Sequence, residues 1–454
     1  MSSVASTIDQ FAPSFSGQIL KPADARYDEA RRVHNGLVDK RPALIACCGG
    51  TADVADAVKM ARTLNLEIAV RGGGHNVAGR ATVDGGLMID LSPMKGVHVD
   101  AHARTARAQG GVLWKEFNRE TQLHGLATTG GVVSTTGIAG LTLGGGLGWL
   151  MPKYGLALDN LRSADVVMAD GTIRRASAEE NPDLFWAIRG GGGNFGIAAS
   201  LEFDVHGVGP IITGGLVAHP LQKGLDVLRF FRDTCGRAPD ELMMAAGLLT
   251  APDGSGAKLV GMLAAHCGSL ADGEKVVAPI KAFGPPVMDM MGPIPYCTQN
   301  TLLDASFPKG ALNYWKSSFL TDLSDEAIAV LLDRFNACPS PMSQIVIEHF
   351  HGAASRVPVD QTACTMRITG FNVAIVSQWI DPAENARQIA WGRDTYAALK
   401  PYWGTMRYVN YFDTDEEGDP AAAAYGPNYA RLRDLKTKYD PDNFFRGNVN
   451  IRPR

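Results

Sequence analysis

The sequence is poor in features that would assign it to a specialised class of protein. Its 454 residues include 7 cysteines, an odd number without CxxC spacing, which argues against both a disulfide framework and a zinc site built from cysteine. The formal net charge of -4 creates no strong field that would attract nucleic acid or an anionic membrane. We therefore expect reduced thiols, and neither nucleic acid nor a membrane as a partner.

Long apolar segments are missing as well. Residues 1–11 carry Ser, Thr, Asp and Gln where a signal peptide would need an apolar run. The longest uncharged stretch, residues 127–152, is interrupted by glycines, threonines and serines throughout. Such a segment suits backbone folded around a large ligand better than a membrane span. A cytoplasmic location is the expectation.

What the sequence does contain is an alternation of short β-like runs with helical runs. In the first part of the chain we predict strands at 44–47, 67–70, 87–91, 105–108 and 197–203, a helix capped by Thr51, and helices at 113–122 and 183–189. After Val208 the glycine density falls, and we predict helices at 222–231 and 325–335 and strands at 344–351 and 372–379. The pattern indicates an α+β chain whose second part is an antiparallel sheet covered by helices.

Glycine is concentrated in three clusters, at residues 72–79, 130–148 and 190–196. Glycine lets the backbone approach a ligand closely, so several such loops indicate an extended cofactor held from several sides. The third cluster matches GxGxxG, but it follows a helical segment and precedes a strand, which is the reverse of the Rossmann order. A nicotinamide site is rejected on this ground. His75 directly follows the first cluster, where its side chain can reach a bound cofactor.

Six segments together resemble a known family. They are Arg71 to Asn76 (RGGGHN), Thr135 to Gly146 (TTGIAGLTLGGG), Lys153 to Asn160 (KYGLALDN), Trp186 to Gly196 (WAIRGGGGNFG), Tyr408 to Tyr411 (YVNY), and the tail from Lys438 to Ile451. In this order they resemble the FAD-linked oxidases of the vanillyl-alcohol-oxidase superfamily, in the berberine-bridge-enzyme-like branch and its bacterial members.

The resemblance implies a two-part FAD-binding domain of the PCMH type and a substrate domain. Residues 1–206 would form the FAD-binding domain and residues 207–405 the substrate-binding domain, an antiparallel sheet covered by helices. Residues 406–454 would return to the FAD domain.

The resemblance also implies how FAD is held. His75 would carry the flavin through an 8α-histidyl bond, and Arg71 to Asn76 would wrap the pyrophosphate. Many members add a second bond from a cysteine, but the residue at that place here is Val133, so a single linkage is predicted. The full predicted set of FAD contacts is Arg71, Gly72, Gly73, Gly74, His75, Asn76, Gly79, Gly131, Thr135, Thr136, Gly137, Gly140, Gly145, Gly146, Gly148, Asn160, Gly196, Ile197, Asn448 and Asn450.

The implied reaction is hydride transfer from a small organic substrate, an alcohol, sugar or amine, to FAD, with oxygen reoxidising the flavin to give hydrogen peroxide. A dehydrogenase with another acceptor and a non-catalytic FAD-binding protein are the alternatives. Hydride transfer needs a base for the substrate's O–H or N–H proton. Tyr154 and Tyr408 are candidates by motif.

The predicted strand 344–351 offers two further candidates for the base. Alternation places His349 and His351 on one face with Ile347, opposite Glu348. His349 or His351 is the predicted base. Read as metal ligands, the two histidines are too few for a site, so no metal is predicted.

Overall fold

The computed structural model describes residues 4–416 and 418–454. Its strands, in chain order, are β1 (Gln18–Leu20), β2 (Leu44–Cys47), β3 (Ile68–Arg71), β4 (Leu87–Asp90), β5 (Val97–Asp100), β6 (Thr105–Gln109), β7 (Leu126–Ala127), β8 (Leu161–Val167), β9 (Ile173–Ser177), β10 (Ile197–Asp204), β11 (His206–Gly207), β12 (Ile211–Pro220), β13 (Leu242–Thr250), β14 (Lys258–His266), β15 (Met288–Asp289), β16 (Gly292–Pro295), β17 (Leu312–Leu320), β18 (Gln344–Phe350) and β19 (Gly370–Trp379).

The α-helices alternate with these strands and are joined to them by short 3-10 turns. In chain order they are α1 (Val4–Phe11), α2 (Tyr27–Ala30), α3 (Thr51–Leu64), α4 (Trp114–Gln122), α5 (Ile138–Leu143), α6 (Met151–Tyr154), α7 (Pro182–Gly191), α8 (Gly224–Cys235), α9 (Leu270–Ala282), α10 (Tyr296–Thr301), α11 (Asp325–Asn336), α12 (Ala353–Arg356), α13 (Asn385–Ala398), α14 (Pro420–Tyr425) and α15 (Tyr429–Tyr439). The predicted strands and helices are all present, with ends that shift by a few residues.

The first sheet has the order β1-β2-β4-β3, with parallel pairing of β4 to β2 and β3. Helix α3 connects β2 to β3 and buries Val54 and Val58 against the sheet, as its apolar spacing predicts. Thr51 is the first residue of this helix, and the N-cap position belongs to Gly50, so the prediction that Thr51 caps the helix is wrong. The strand β3 ends at the glycine loop that carries His75.

The second sheet is antiparallel, with the order β5-β6-β10-β8-β9. Helix α7 precedes β10, and the third glycine cluster lies between them. The structure thus confirms the order helix, glycine loop, strand, which is incompatible with a Rossmann site. Gly196 reaches φ +158 in this loop, and an added Cβ would lie 2.4 Å from a methyl carbon of Val166, so only glycine fits.

The third sheet is a large antiparallel one, with the order β15-β12-β14-β13-β18-β19-β17 and β16 paired to β12. Helices α8, α9, α11 and α13 cover one face, where Phe231, Leu331 and Trp391 pack against Ile345 and Ile347. The α+β class and the antiparallel sheet covered by helices are confirmed. The other face of the sheet is turned toward the glycine loops and forms the roof of a cavity.

The end of the chain packs against the third glycine cluster, next to the second sheet. Lys436, fully buried, donates hydrogen bonds of 2.7 Å to Asp440 and to the carbonyls of Asn194 and Phe445. Burial of an ion pair is tolerated here because every charged atom finds a partner. The N–H of Ile451 in turn donates to Asn194. Among the described residues, no helix has the length and apolar character needed to cross a bilayer.

Candidate active site

Two neighbouring cavities lie at the glycine loops, and the larger of them is roofed by the third sheet. The larger, about 470 Å³, extends beneath the sheet and is lined by His75 on one side and Glu348 on the other. The smaller, about 150 Å³, is lined by the third glycine cluster and by Ile197. Volumes of this size are typical of binding sites for small molecules and cofactors. The two cavities are joined by residues that line both, namely Val70, Gly72, Asn76, Arg80, Gly140, Asn410 and Asn448.

The first glycine loop and the second meet at Gly73 and Gly137. A Cβ added to Gly73 would lie 2.4 Å from the backbone nitrogen of Gly137, so neither position admits a side chain. Gly140 is different. No atom lies within 4 Å of an added Cβ at this position, because the residue lines both cavities. The two loops are therefore locked to each other while one glycine faces open space, as a ligand cradle requires.

His75 presents an unpaired nitrogen at this cradle. Its Nε2 atom is buried and has no hydrogen-bond partner among the described residues, whereas buried polar atoms are normally paired. Its ring stacks on His34 with centroids 3.9 Å apart. Burial, and after it the neighbouring His34, lowers the pKa of His75 to about 3. The imidazole is neutral at physiological pH, with a nitrogen lone pair free to react.

Arg80 lies where the two cavities join. Its Nε atom is buried and unpaired within the described part of the chain, and its Nη2 reaches only the carbonyl of Asp413, at 3.5 Å. Burial lowers the pKa of its guanidinium, which nevertheless stays protonated in any ordinary buffer. Arg80 was not predicted, because only the fold brings it from the end of the glycine cluster to this junction.

Not every predicted FAD contact lies at these cavities. Arg71 is turned away and forms an ion pair with Asp90, while it donates a 2.6 Å hydrogen bond to the carbonyl of Ala30. Its predicted role at the pyrophosphate is not supported by this geometry. The predicted contacts that line at least one cavity are Gly72, Gly74, His75, Asn76, Gly131, Thr136, Gly137, Gly140, Gly196, Ile197 and Asn448. Those that line neither are Arg71, Gly73, Gly79, Thr135, Gly145, Gly146, Gly148, Asn160 and Asn450.

The roof strand β18 turns Gln344, Val346 and Glu348 toward the cavity. His349 and His351 lie on the opposite side, where their rings stack on each other with centroids 4.1 Å apart. His349 also packs on Phe371. The expectation that these histidines face the substrate is therefore not met, because the pleat presents the other set of side chains.

Glu348 is the acidic group of the roof. It is 3% exposed and accepts a 2.6 Å hydrogen bond from the Asn372 amide, and the nearby Tyr411 hydroxyl also favours its charged form. Burial outweighs these hydrogen bonds and raises the pKa of its carboxyl to about 7. A carboxyl that titrates near neutral pH in a cavity is a candidate proton acceptor.

The two predicted tyrosines occupy different places. Tyr408 lines the larger cavity, and its hydroxyl accepts hydrogen bonds from the N–H of Gly146 at 3.2 Å and from the Asn410 amide at 2.9 Å. Burial raises its pKa well above the usual range, so it stays protonated. Tyr154 does not line either cavity and stacks on His206 at 3.9 Å. The structure brings only Tyr408 of the two to the site.

Comparison with known protein families decides what the site belongs to. Residues 42–177 match the family model for an FAD binding domain, and residues 407–452 match the model described as berberine and berberine like. An FAD-linked oxidoreductase of Dictyostelium discoideum is 30% identical to this chain, with 98% of this chain and 97% of the relative covered. The chain belongs to the berberine-like FAD-linked oxidoreductases. It is an FAD-dependent oxidoreductase.

A further relative and a solved structure are similar to this chain over nearly their whole length. The (R)-6-hydroxynicotine oxidase of Paenarthrobacter nicotinovorans is 32% identical, and 97% of each chain is covered. The crystal structure of 6-hydroxy-D-nicotine oxidase from Arthrobacter nicotinovorans superposes with a TM-score of 0.88 at 29% identity, covering 97% of this chain and 98% of that one.

The residues present fit FAD. The cofactor needs a large cavity for its ring system, a second one for its other end, and bare backbone between them. The joined cavities, the open glycine at position 140 and the unpaired Nε2 of His75 meet these requirements. No group of three or more His, Cys, Asp or Glu side chains that could hold a metal occurs in the described ranges.

Proposed function

We propose that this chain is an oxidase that removes a hydride from a C–OH or C–NH group of a small organic molecule, with oxygen as the final acceptor and hydrogen peroxide as the product. The observation that carries the proposal is that an unpaired histidine nitrogen and a buried carboxyl of near-neutral pKa line one cavity. In this arrangement residues 1–206 and 406–454 hold the cofactor, and residues 207–405 bind the substrate.

His75 anchors the cofactor through its Nε2 atom. The neutral imidazole has the lone pair that bond formation to the flavin 8α carbon requires. His75 would then hold FAD covalently, at the expense of one methyl C–H and the imidazole N–H, and oxygen would accept the two electrons and two protons released. Val133 lines the same cavity, and none of the seven cysteines does, which supports a single linkage.

The glycine loops and Arg80 bind the diphosphate of FAD. Asn76, Gly140 and Asn448 line both cavities, so the chain between the two ends of the cofactor passes them. Arg80 lines the same junction, and among the described residues its Nε is unpaired and its Nη2 reaches only the Asp413 carbonyl. A guanidinium is well suited to bind phosphate oxygens. Gly196 and Ile197 then contact the adenine end in the smaller cavity.

Glu348 acts as the base. Bound flavin supplies the two-electron acceptor for the hydride. The Glu348 carboxylate takes the proton from the substrate's oxygen or nitrogen, so that the carbon–heteroatom bond becomes double. Asn372 holds the carboxyl in place by a hydrogen bond, and Tyr411 lies beside it. Tyr408 is a positioning residue, since its hydroxyl ties the loop at Gly146 to Asn410.

Anaerobic mixing followed by oxygen tests the proposal. A substrate is expected to bleach the flavin absorbance without oxygen, and admitted air is expected to restore it with one hydrogen peroxide per substrate. Bleaching that air does not reverse, while a quinone or dye does, would assign the chain to the dehydrogenases. A flavin that no alcohol, sugar or amine bleaches would contradict catalysis altogether.

A further inference from the structure

The roof of the larger cavity is a continuous apolar surface that extends away from Glu348. The register of the sheet places Ala245 opposite Glu348, Leu263 opposite Ala245 and Leu216 opposite Leu263. All four residues line the cavity. They form a row across strands β18, β13, β14 and β12 in which Glu348 is the only polar side chain.

The next row of the sheet is a trough. Here the register joins Val346, Gly247, Gly261, Ala218 and Met288 in sequence from β18 to β15. Val346, Gly247, Ala218 and Met288 line the cavity. Gly247 leaves space beneath the sheet, whereas the Leu216 side chain covers Gly261 and would lie 2.8 Å from an added Cβ there. Since neighbouring strands lie about 4.8 Å apart, the row is about 19 Å long.

The trough ends at an exposed apolar edge. Met288 and Met290 line the cavity at the outer strand, and Met290 is 57% exposed. Its neighbour Val287 is 59% exposed. Exposed apolar side chains at the edge of an apolar cavity mark a place where an apolar molecule enters. The trough therefore connects solvent at Met290 with the carboxyl of Glu348.

We infer that this channel, named here the roof channel and formed by the two rows between Glu348 and Met290, selects an elongated apolar alcohol or amine and rejects sugars. The inference rests on the proposed function, because it takes Glu348 as the end where the substrate is oxidised. A sugar would bring several hydroxyls beneath a sheet face that offers Gln344 as its one further hydrogen-bonding side chain among β12, β13, β14, β15 and β18. Hydroxyls buried there would lose their hydrogen bonds to water without replacement.

Apart from Glu348, the hydrogen-bonding capacity of this sheet face comes from Gln344. Its side chain is 9% exposed, lines the cavity, and has an Nε2 atom without a partner in the described chain. One amide donor can satisfy one acceptor atom of a substrate. It cannot satisfy the many hydroxyls of a saccharide.

Binding to the FAD-loaded protein tests the inference. The probes are benzyl alcohols with a 4-alkyl chain from methyl to hexyl, the matching benzylamines, and the sugars glucose and cellobiose, each titrated against the flavin absorbance spectrum. Each added methylene is expected to tighten binding about fourfold, since burying one is worth about 0.8 kcal/mol. Affinity that is independent of chain length, or that is higher for the sugars, would overturn the roof channel.

The variant Gly247→Leu provides the structural control. An added Cβ at Gly247 meets only a methyl carbon of Leu249 at 3.7 Å, so the side chain enters the trough without displacing backbone. Because the leucine then occupies the trough, the gain in affinity per methylene of the probe is expected to disappear in Gly247→Leu. Gly207→Leu, on an exposed strand where no atom lies within 4 Å of the new Cβ, is expected to keep it.

The two proposals fail in different ways. If sugars bleach the flavin and alkylbenzyl alcohols do not, the roof channel is wrong and the oxidase remains. If chain length controls binding but no bound probe is oxidised, the channel stands and the assignment of Glu348 as a base fails. An unchanged chain-length dependence in Gly247→Leu would contradict the channel directly.

Discussion

The Asn372 side-chain amide donates a 2.6 Å hydrogen bond to the carboxyl of Glu348, its direct partner on the neighbouring strand of the roof sheet. Asn372 is fully buried and Glu348 is 3% exposed. The amide favours the charged carboxylate, whereas burial disfavours it, and burial prevails so that the pKa rises to about 7. The pair thereby holds a base that changes its charge in the physiological range.

Replacing Glu348 by Gln is expected to slow flavin reduction about 10²- to 10⁴-fold, the usual contribution of a positioned general base. The amide keeps the size of the side chain and a hydrogen bond to Asn372 but accepts no proton. Rapid mixing under anaerobic conditions measures the rate. The FAD content and the visible spectrum should be those of the unaltered protein.

His349→Gln is the matched control for this variant. The residue is the next one along β18 and lies on the face away from the cavity, packed on Phe371 and His351. The rate of flavin reduction in this variant is expected to stay within a few-fold of normal. This corresponds to a change in the activation free energy on the order of 1 kcal/mol or less. A large loss for His349→Gln with none for Glu348→Gln would restore the histidines as candidates for the base.

The pH dependence of kcat/KM should report the same carboxyl. The base is active as a carboxylate, so the rate is expected to rise with pH and to level off above the pKa of about 7. Asn372→Ala removes a donor that stabilises the carboxylate. The midpoint of the profile should then move to higher pH, while a merely structural role for Asn372 would lower the rate without moving the midpoint.

Stability should depend on pH in the opposite sense. The Glu348 pKa is raised from 4.5 in the unfolded chain to about 7 in the folded one, so the folded protein binds the extra proton between these values. Stability is therefore highest below pH 4.5 for this group and falls as pH rises toward 7, by about 3 kcal/mol in total. Glu348→Gln removes this contribution.

Urea unfolding at a pH on each side of the interval checks this linkage. The difference in unfolding free energy between Glu348→Gln and the unaltered protein should grow in favour of the variant at the higher pH. A difference that stays constant between the two conditions would show that Glu348 has an ordinary pKa.

The sequence predicted the local parts of this structure well. The strand at Leu44–Cys47 has the predicted ends, and the glycine loop before His75 does follow a strand. Hydrophobic periodicity and glycine punctuation are local signals, and local structure follows them.

The face of β18 could not be predicted in the same way. Of its seven residues all but one are buried, because helices cover one face and the cavity the other. A strand that is buried on both faces has no polar and apolar side to distinguish, so alternation separates His349 and His351 from Glu348 without showing which face meets the cavity. The choice depends on the pairing of Glu348 with Asn372, which is a contact between separate strands. Arg80 was missed for the same reason, since only the fold brings it to the junction of the cavities.

Arg80→Met tests the diphosphate contact. In a protein whose His75 is replaced by Ala, FAD binding becomes reversible and its affinity can be measured by fluorescence. The loss of a charge-assisted hydrogen bond is expected to weaken binding by about 1.5–3 kcal/mol, roughly 10- to 150-fold. Arg41→Met, at an exposed arginine that lines neither cavity, should leave the affinity unchanged. Equal effects of the two substitutions would exclude Arg80 from the site.

His75→Ala separates anchoring of the flavin from its binding. The glycine loops stay in place in this variant, because the contact of Gly73 with Gly137 does not involve the imidazole. The protein is therefore expected to remain yellow, but to release its FAD on acid precipitation, whereas the unaltered protein should keep the flavin in the pellet. His34→Phe preserves an aromatic ring against His75 and should retain the covalent bond. A flavin that stays attached in His75→Ala would move the anchor to another side chain, and a colourless variant would mean that the bond, rather than the glycine cradle, provides most of the affinity.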